Sequence, residues 1–285
     1  MDNFELASAF FAGVTTILAK IGIKDTNANL ATALRTIVVA IFAWLMVFIV
    51  GSQQTIGSIA PKSILFLVLS GLATGGSWLC YFKALQLGDV NKVVPVDKSS
   101  TILTMALAFL LLGESLSWIK IVAMVCLGIG TYKMIEVQKT NNEVKTGNTW
   151  LIYALLSALL ASLTAILGKI GISGIESNLG TAIRTLVVLV MAWGIVFVQN
   201  KHHEMKSIDK KSWIFIILSG FATGLSWMCY YRALQDGPAS IVVPIDKLSI
   251  LVTVFFGHFA FKETLDKAQR IGLVLIVVGT LSLLI

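Results

Sequence analysis

The sequence predicts an all-α polytopic membrane protein, with ten transmembrane helices arranged as two inverted five-helix repeats. Three observations carry this expectation. Apolar tracts of helical length recur along the whole 285-residue chain, only 13% of its residues are charged, and one stretch returns 149 positions later without a gap. A soluble domain carries roughly 25% charged residues, so about half the usual charge is present to dress a surface. The residues are 56% hydrophobic and the mean hydropathy is +0.87. A water-soluble fold has no place for so many apolar tracts.

A membrane-spanning helix needs about 20 mostly apolar residues. With breakers and charges taken as boundaries, spans fall near 4–22, 30–50, 63–83, 94–112 and 118–136. Five more fall near 150–168, 179–199, 213–232, 243–261 and 268–285. The acidic start MDNFELASAF lacks the basic region of a cleaved signal, so the first helix is expected to be retained. Ser117 and Asp266 suit the N-cap of the last helix in each half, where a side-chain oxygen accepts from free backbone N–H groups. Pro95 and Pro244 fall near the start of the fourth helix in each half, where the first turn needs no N–H. The polar segment 138–149 reads as a linker, and 200–212 as a solvated basic loop.

The repeat is the strongest signal. GLATGGSWLCYFKALQLGDVNKVVPVDK, from Gly71 to Lys98, aligns with GFATGLSWMCYYRALQDGPASIVVPIDK, from Gly220 to Lys247, with 17 of 28 positions identical. The same offset pairs Lys20 with Lys169, Arg35 with Arg184, Trp44 with Trp193 and Glu114 with Glu263. One unit has been duplicated, giving halves 1–137 and 150–285 around a linker 138–149. Five crossings per copy start the second half on the opposite side of the membrane, so the halves are inverted. That plan recurs in secondary transporters.

Charge sets an expected orientation. Of the 22 Lys and Arg, 16 lie nearer the side of the odd-numbered connections and 6 nearer the other. Without the four pairs that the repeat places equally on both sides, 12 remain against 2. The positive-inside rule then puts the basic connections in the cytoplasm and both termini outside the cell membrane. The net charge of +7 is read the same way, and no basic groove with interleaved aromatics points to nucleic acid. Cys80, Cys126 and Cys229 lie inside apolar tracts, and with His202, His203 and His258 they form no metal-ligand spacing. No Walker-type loop, HExxH or activated nucleophile is present, so no cofactor, metal or catalytic residue is expected. The alternatives to transport are a membrane-embedded enzyme and a non-transporting membrane scaffold; no clustered carboxylates support the first and no extramembrane module the second.

The chain resembles the drug/metabolite transporter superfamily, and within it the ten-helix EamA-type transporters. The resemblance rests on ATGGSWLCYFKAL and ATGLSWMCYYRAL at the end of the third helix of each half, and on VVPVDKSS and VVPIDKLS in the fourth. LLGESLS matches the family's glycine–glutamate turn, including Glu114; the second copy reads FAFKETLD, with Lys262 in place of the glycine and Glu263 kept. The resemblance implies a secondary transporter, monomeric or homodimeric among membrane lipids, that moves a small metabolite such as an amino acid or amine through a central cavity; members export or import, and export is the direction expected here. Small multidrug members carry a coupling carboxylate in their first helix, where this chain has only Glu5 near the end and Ala154 at the aligned position.

The candidate cavity or gating residues are polar and aromatic side chains within the spans. Asp97–Lys98 and Asp246–Lys247 put charge inside the fourth span of each half, where it faces a cavity or a partner, unless Lys snorkels to the interface. Asp97, Thr101 and Met105 or Ala108 share a helix face by their spacing, a plausible cavity stripe. Arg35 and Arg184 suit a planar substrate carboxylate or a structural ion pair. Trp78, Tyr81 and Phe82, with Trp227, Tyr230 and Tyr231, offer apolar or cation–π walls or belong to the interfacial belt. Lys20 and Lys169 end helices whose C-termini a cation complements. Gly71–Gly75 and Gly220–Gly224 permit close helix approach.

Overall fold

A computed structural model describes residues 4–22, 26–87, 93, 96–134, 149–261 and 265–284, excepting the side chains of residues 82, 85, 86, 260 and 261. The described structure is helical throughout. Its α-helices are α1 (Phe4–Gly22), α2 (Ala28–Val50), α3 (Pro61–Leu87), α4 (Ser100–Leu112), α5 (Trp118–Met134) and α6 (Thr149–Ile172). There follow α7 (Ser177–Val198), α8 (Lys210–Asp236), α9 (Ala239–Asp246), α10 (Ser249–Phe261) and α11 (Lys267–Leu281). Eight described helical stretches are long and apolar enough to cross a membrane, with α9 and most of α10 counted as one. The expected fourth and fifth spans fall short by length, because α4 has 13 residues and α5 has 17. Most of the expected linker 138–149 lies outside the described residues, as do Pro95, Lys262 and Glu263.

The helices are apolar on more than one face. On α2, Val39, Ala40, Ala43 and Val47 are buried while Ile41, Leu45, Phe48 and Ile49 are exposed. A helix that is hydrophobic all round is either buried or in lipid, and here the outward face is the lipid-facing one. This is a multi-pass membrane protein.

The ends of the helices are set by local chemistry. Asp266 and Gln269 form a capping box at the start of α11, and Ser117 Oγ accepts from the Lys120 N–H at 3.3 Å. Asp209 Oδ2 accepts from Lys211 and Ser212 N–H at the start of α8. Lys169 does complement a helix C-terminus, but that of α8: its Nζ donates to the carbonyls of Leu234 and Gly237. In return, Gln235 Nε2 donates to the carbonyls of Ile172 and Ile175 at the end of α6.

The chain forms two compact units. The first holds residues 1–72, 167–237 and 249–263, and the second holds 73–166, 238–248 and 264–285. In the first unit, α1 packs on α8 and α10, and α2 on α7 and α8. A Cβ at Gly71 would stand 2.6 Å from Val187 Cβ, and one at Gly220 would stand 2.7 Å from Val38 Cβ. Position 38 corresponds to 187 as 71 does to 220, so the two close approaches are reciprocal under the 149-residue offset. In the second unit, α5 packs on α11 and α4 on α9. Gly130 meets the Gly272 carbonyl and Ile276 there, and Gly279 meets Cys126.

Two of the expected spans, 94–112 and 243–261, are interrupted among their described residues. The expected tract 243–261 is two helices, α9 and α10, parted at Lys247 and Leu248. Lys247 N–H donates to Pro244 O and Leu248 N–H to Ile245 O, the three-residue step of a tightened turn. Pro244 does not start this helix but lies near its end, where it lacks the N–H that would bond four residues back. The first half does the same at Ser99, whose N–H and hydroxyl both donate to Val96 O, the hydroxyl at 2.6 Å. Leu248 is the residue that the offset matches to Ser99.

Candidate functional site

In the first unit the two arginines have different surroundings. Arg184, on α7, is only 2% exposed. Its Nε donates to Ser70 Oγ at 2.9 Å, and its guanidinium lies 5.2 Å from the Trp227 ring centroid and 4.9 Å from that of Tyr231. Tyr230 meets Tyr231 edge to face at 5.3 Å. Desolvated cation–π contacts are worth about 2 kcal/mol, so these rings hold the guanidinium in place. Gly168 makes the room: a Cβ there would stand 2.8 Å from Tyr231 Cε1. The offset puts Ala19 at the matching position.

Arg35, on α2, is only half-buried and has no such cage among the described residues. Its Nη2 donates to Thr223 Oγ1 at 2.9 Å, and its Nε is buried without a hydrogen-bond partner. Thr223 spends its own proton on the Ser219 carbonyl at 2.7 Å and so is free to accept. A planar five-donor fork with one satisfied arm keeps capacity for a carboxylate. The aromatic positions that would match the Arg184 cage are Trp78, which is half-buried, and Phe82, whose side chain is outside the described residues.

In the second unit the chemistry gathers at Asp97. Ser157 Oγ, on α6, donates to Asp97 Oδ1 at 2.7 Å, and Ser77 Oγ, on α3, donates to the Ser157 carbonyl at 3.1 Å. Lys98 Nζ stands 3.9 Å from Asp97 Oδ2, with 54% of its side chain exposed against 16% for Asp97. The two neighbours therefore diverge: Asp97 points toward α6, and Lys98 lines a cavity with Thr101, Thr131 and Tyr132. The expected cavity stripe is otherwise packed, since Met105 is 1% exposed and Ala108 is fully buried. Tyr81 packs beside Ala84, Val93 and Ala154. Lys247 is near enough to Lys98 for their charges to act on each other. Asp246 and Lys247 are both half-buried at the interruption after α9.

One contact joins the two halves of the sequence at this point. Gly113 adopts a left-handed φ of 67°, which turns the chain after α4. Glu114 then reaches α9, where its two carboxylate oxygens accept from the N–H groups of Ala239 at 2.6 Å and Ser240 at 2.9 Å. Pro238, at the N-cap, supplies no side-chain hydrogen bond.

Sequence reasoning missed the hydroxyl partners Ser70, Ser77, Ser157 and Thr223. A signal for them was present, because the offset matches each to an identical residue: Ser219, Ser226, Ser8 and Thr74. The contacts are matched as well. Ser77 bonds the Ser157 carbonyl at 3.1 Å, and Ser226 bonds the Ser8 carbonyl at 3.1 Å. Thr74 and Thr164 meet at 3.3 Å, and Thr223 and Thr15 at 3.4 Å. No group of three or more metal-ligating side chains occurs among the described residues.

Known proteins share both the sequence pattern and the fold. The model of the EamA-like transporter family matches residues 4–135 and again residues 148–285. An uncharacterized transporter in cobO 3'region of Sinorhizobium sp is 41% identical over 135 residues, which is 47% of this chain and 96% of that protein. The uncharacterized transporter YxxF of Bacillus subtilis (strain 168) is 24% identical over 84% of this chain and 74% of its own length. A crystal structure with 15% sequence identity has the same fold, with a TM-score of 0.79 over 98% of this chain and 94% of that one. This chain belongs to the EamA-like transporter family, a family of membrane transporters rather than of enzymes.

Proposed function

We propose that this protein is a secondary transporter that exports a small metabolite (an amino acid, an amine or a related solute) across the cell membrane. In this reading ten spans form two inverted five-helix halves, 1–137 and 150–285, which exchange shape by alternating access. The observation that carries the reading is the paired interruption of the fourth span, at Ser99 and at Lys247–Leu248, each beside an Asp–Lys pair. Interrupted helices with free backbone groups are where secondary transporters bind substrate and coupling ions. The reciprocal contacts of Gly71 with Val187 and Gly220 with Val38 support two halves of one shape. So does the Sinorhizobium relative, nearly all of which matches about half of this chain.

Arg35, in the first unit, is assigned to a substrate carboxylate, and Asp97, in the second, to lining or gating the pathway, while Arg184 takes a structural role. The test is flux in proteoliposomes across a panel of amino acids and amines, with and without an imposed proton gradient. Substrate-dependent flux is expected, with Arg35→Gln and Asp97→Asn reducing it at least tenfold, the equivalent of about 1.4 kcal/mol. No flux for any solute in the panel would overturn the transport reading; full flux in both variants would overturn the site. Labelling of Ser207→Cys from the cytoplasmic side alone is the outcome expected if both termini lie outside.

A further inference from the structure

The second unit has an apolar crevice on an outward face. Between α4 and α5 runs an apolar crevice of about 560 Å³, lined by Ile102, Ala106, Phe109, Met124, Val125 and Gly128 among others. Phe109 is 44% exposed and Val125 54%, so the crevice opens sideways, on the face that meets lipid. Past the contact of Ile102 with Gly128 lies a second cavity of about 170 Å³, lined by Lys98, Ser99, Thr131 and Tyr132. The Lys98 ammonium faces it with only Asp97, at 3.9 Å, as a described partner, while Asp97 is held at 2.7 Å by Ser157. A half-exposed ammonium, paired at 3.9 Å with Asp97 on one side only, thus stands at one end of an apolar trough.

The trough has an origin in the sequence. Ala106 and Gly128 are small, and the offset matches them to Phe255 and Val277. Lys98 is matched to Lys247, so the charge is common to both halves, while the small residues at 106 and 128 are particular to the first.

We propose that the α4–α5 crevice binds an anionic phospholipid of the surrounding bilayer, its acyl chain along Ile102, Ala106 and Val125 and its phosphate beside Lys98, Thr131 and Tyr132. An ammonium within reach of an anionic headgroup contributes about fivefold in affinity, and the apolar lining contributes the rest without selecting a headgroup. Charge selects the occupant: a zwitterionic lipid gains the trough but not the lysine.

The test is native mass spectrometry of the delipidated protein with added phosphatidylglycerol or phosphatidylcholine of the same acyl chains. Wild type is expected to retain phosphatidylglycerol about fivefold better. Lys98→Gln should bring the two lipids level. Ala106→Phe, which borrows the residue of the other half, should reduce retention of both; thermal melting of each variant checks that it is folded. Equal retention of the two lipids by wild type would overturn the proposal. So would adducts that survive Ala106→Phe in a folded protein, or a twofold mass species that Ala106→Phe abolishes, since a second copy would then cover the crevice. Because the readout is bound lipid and not flux, failure here leaves the transport reading standing.

Discussion

Replacing Glu114 removes a cap that comes from the other half of the chain. The eight-residue helix α9 begins with N–H groups that have no intrahelical acceptor. Two of them, on Ala239 and Ser240, are taken by the Glu114 carboxylate at 2.6 and 2.9 Å. Loss of an N-cap side chain costs about 0.5–2 kcal/mol, and hydrogen bonds to a charged group contribute about 1.5–3 kcal/mol each. The surroundings are only part-buried, so water replaces some of the loss, and Glu114→Ala is expected to cost about 2 kcal/mol. At roughly 2–4 °C per kcal/mol for a chain of this size, the melting temperature in detergent should fall by about 4–8 °C. Glu114→Gln, which keeps one acceptor oxygen and loses the charge, should fall by about half as much. Glu114→Asp, one methylene shorter, should resemble Ala. Flux should fall in the same order, because α9 leads directly into the interruption at Lys247. An Ala variant that melts within 1 °C of wild type at unchanged flux would refute the reasoning; the cap would then be dispensable.

Two other outcomes follow from the packing and the caps. Gly71→Ala and Gly220→Ala should each cost about 1–3 kcal/mol by overpacking, since the added Cβ would stand 2.6 or 2.7 Å from a valine Cβ. Val187→Gly and Val38→Gly, which remove the facing Cβ, should respectively offset part of that cost, as a favourable coupling in double-mutant thermal melts would register. Hydrogen bonds from the Ser212 side chain and backbone hold the Asp209 carboxyl below the usual carboxylate range. Its contribution is therefore complete above the ordinary carboxylate pKa and is lost as pH falls through the lower folded value. Asp209→Asn should flatten the acid limb of a melting-temperature profile, and an unchanged limb would argue against the assignment.

Much of the fold was legible because hydropathy is a property of long windows. Long apolar helices, the caps at Ser117 and Asp266, and the close approaches at Gly71 and Gly220 all depend on local sequence, and the structure contains them, with eight candidate spans among the described residues. The interruption beside Asp246 was hidden by the same averaging, since an apolar tract reads alike whether or not its ladder is continuous. Pro244 was misplaced by a turn or more for that reason. The difference between Arg35 and Arg184 was not legible at either arginine. It depends on Gly168, 16 residues before Arg184, and on two rings of α8 that only tertiary packing brings to 5.2 and 4.9 Å. Ser157 escaped notice because its partner Asp97 is 60 residues away, and no periodicity reports a contact of that range.

The Glu114 carboxylate and the amides it holds are also separated in time. They lie 125 residues apart, and at roughly 5–20 residues per second of synthesis the acceptor precedes its donors by about 6–25 s. Until then the carboxylate has no α9 amide to accept from. The start of α9 thus gains its cap only once residues of both halves are present, just as α1 and α2 gain their partners only when α7, α8 and α10 of the second half have been made.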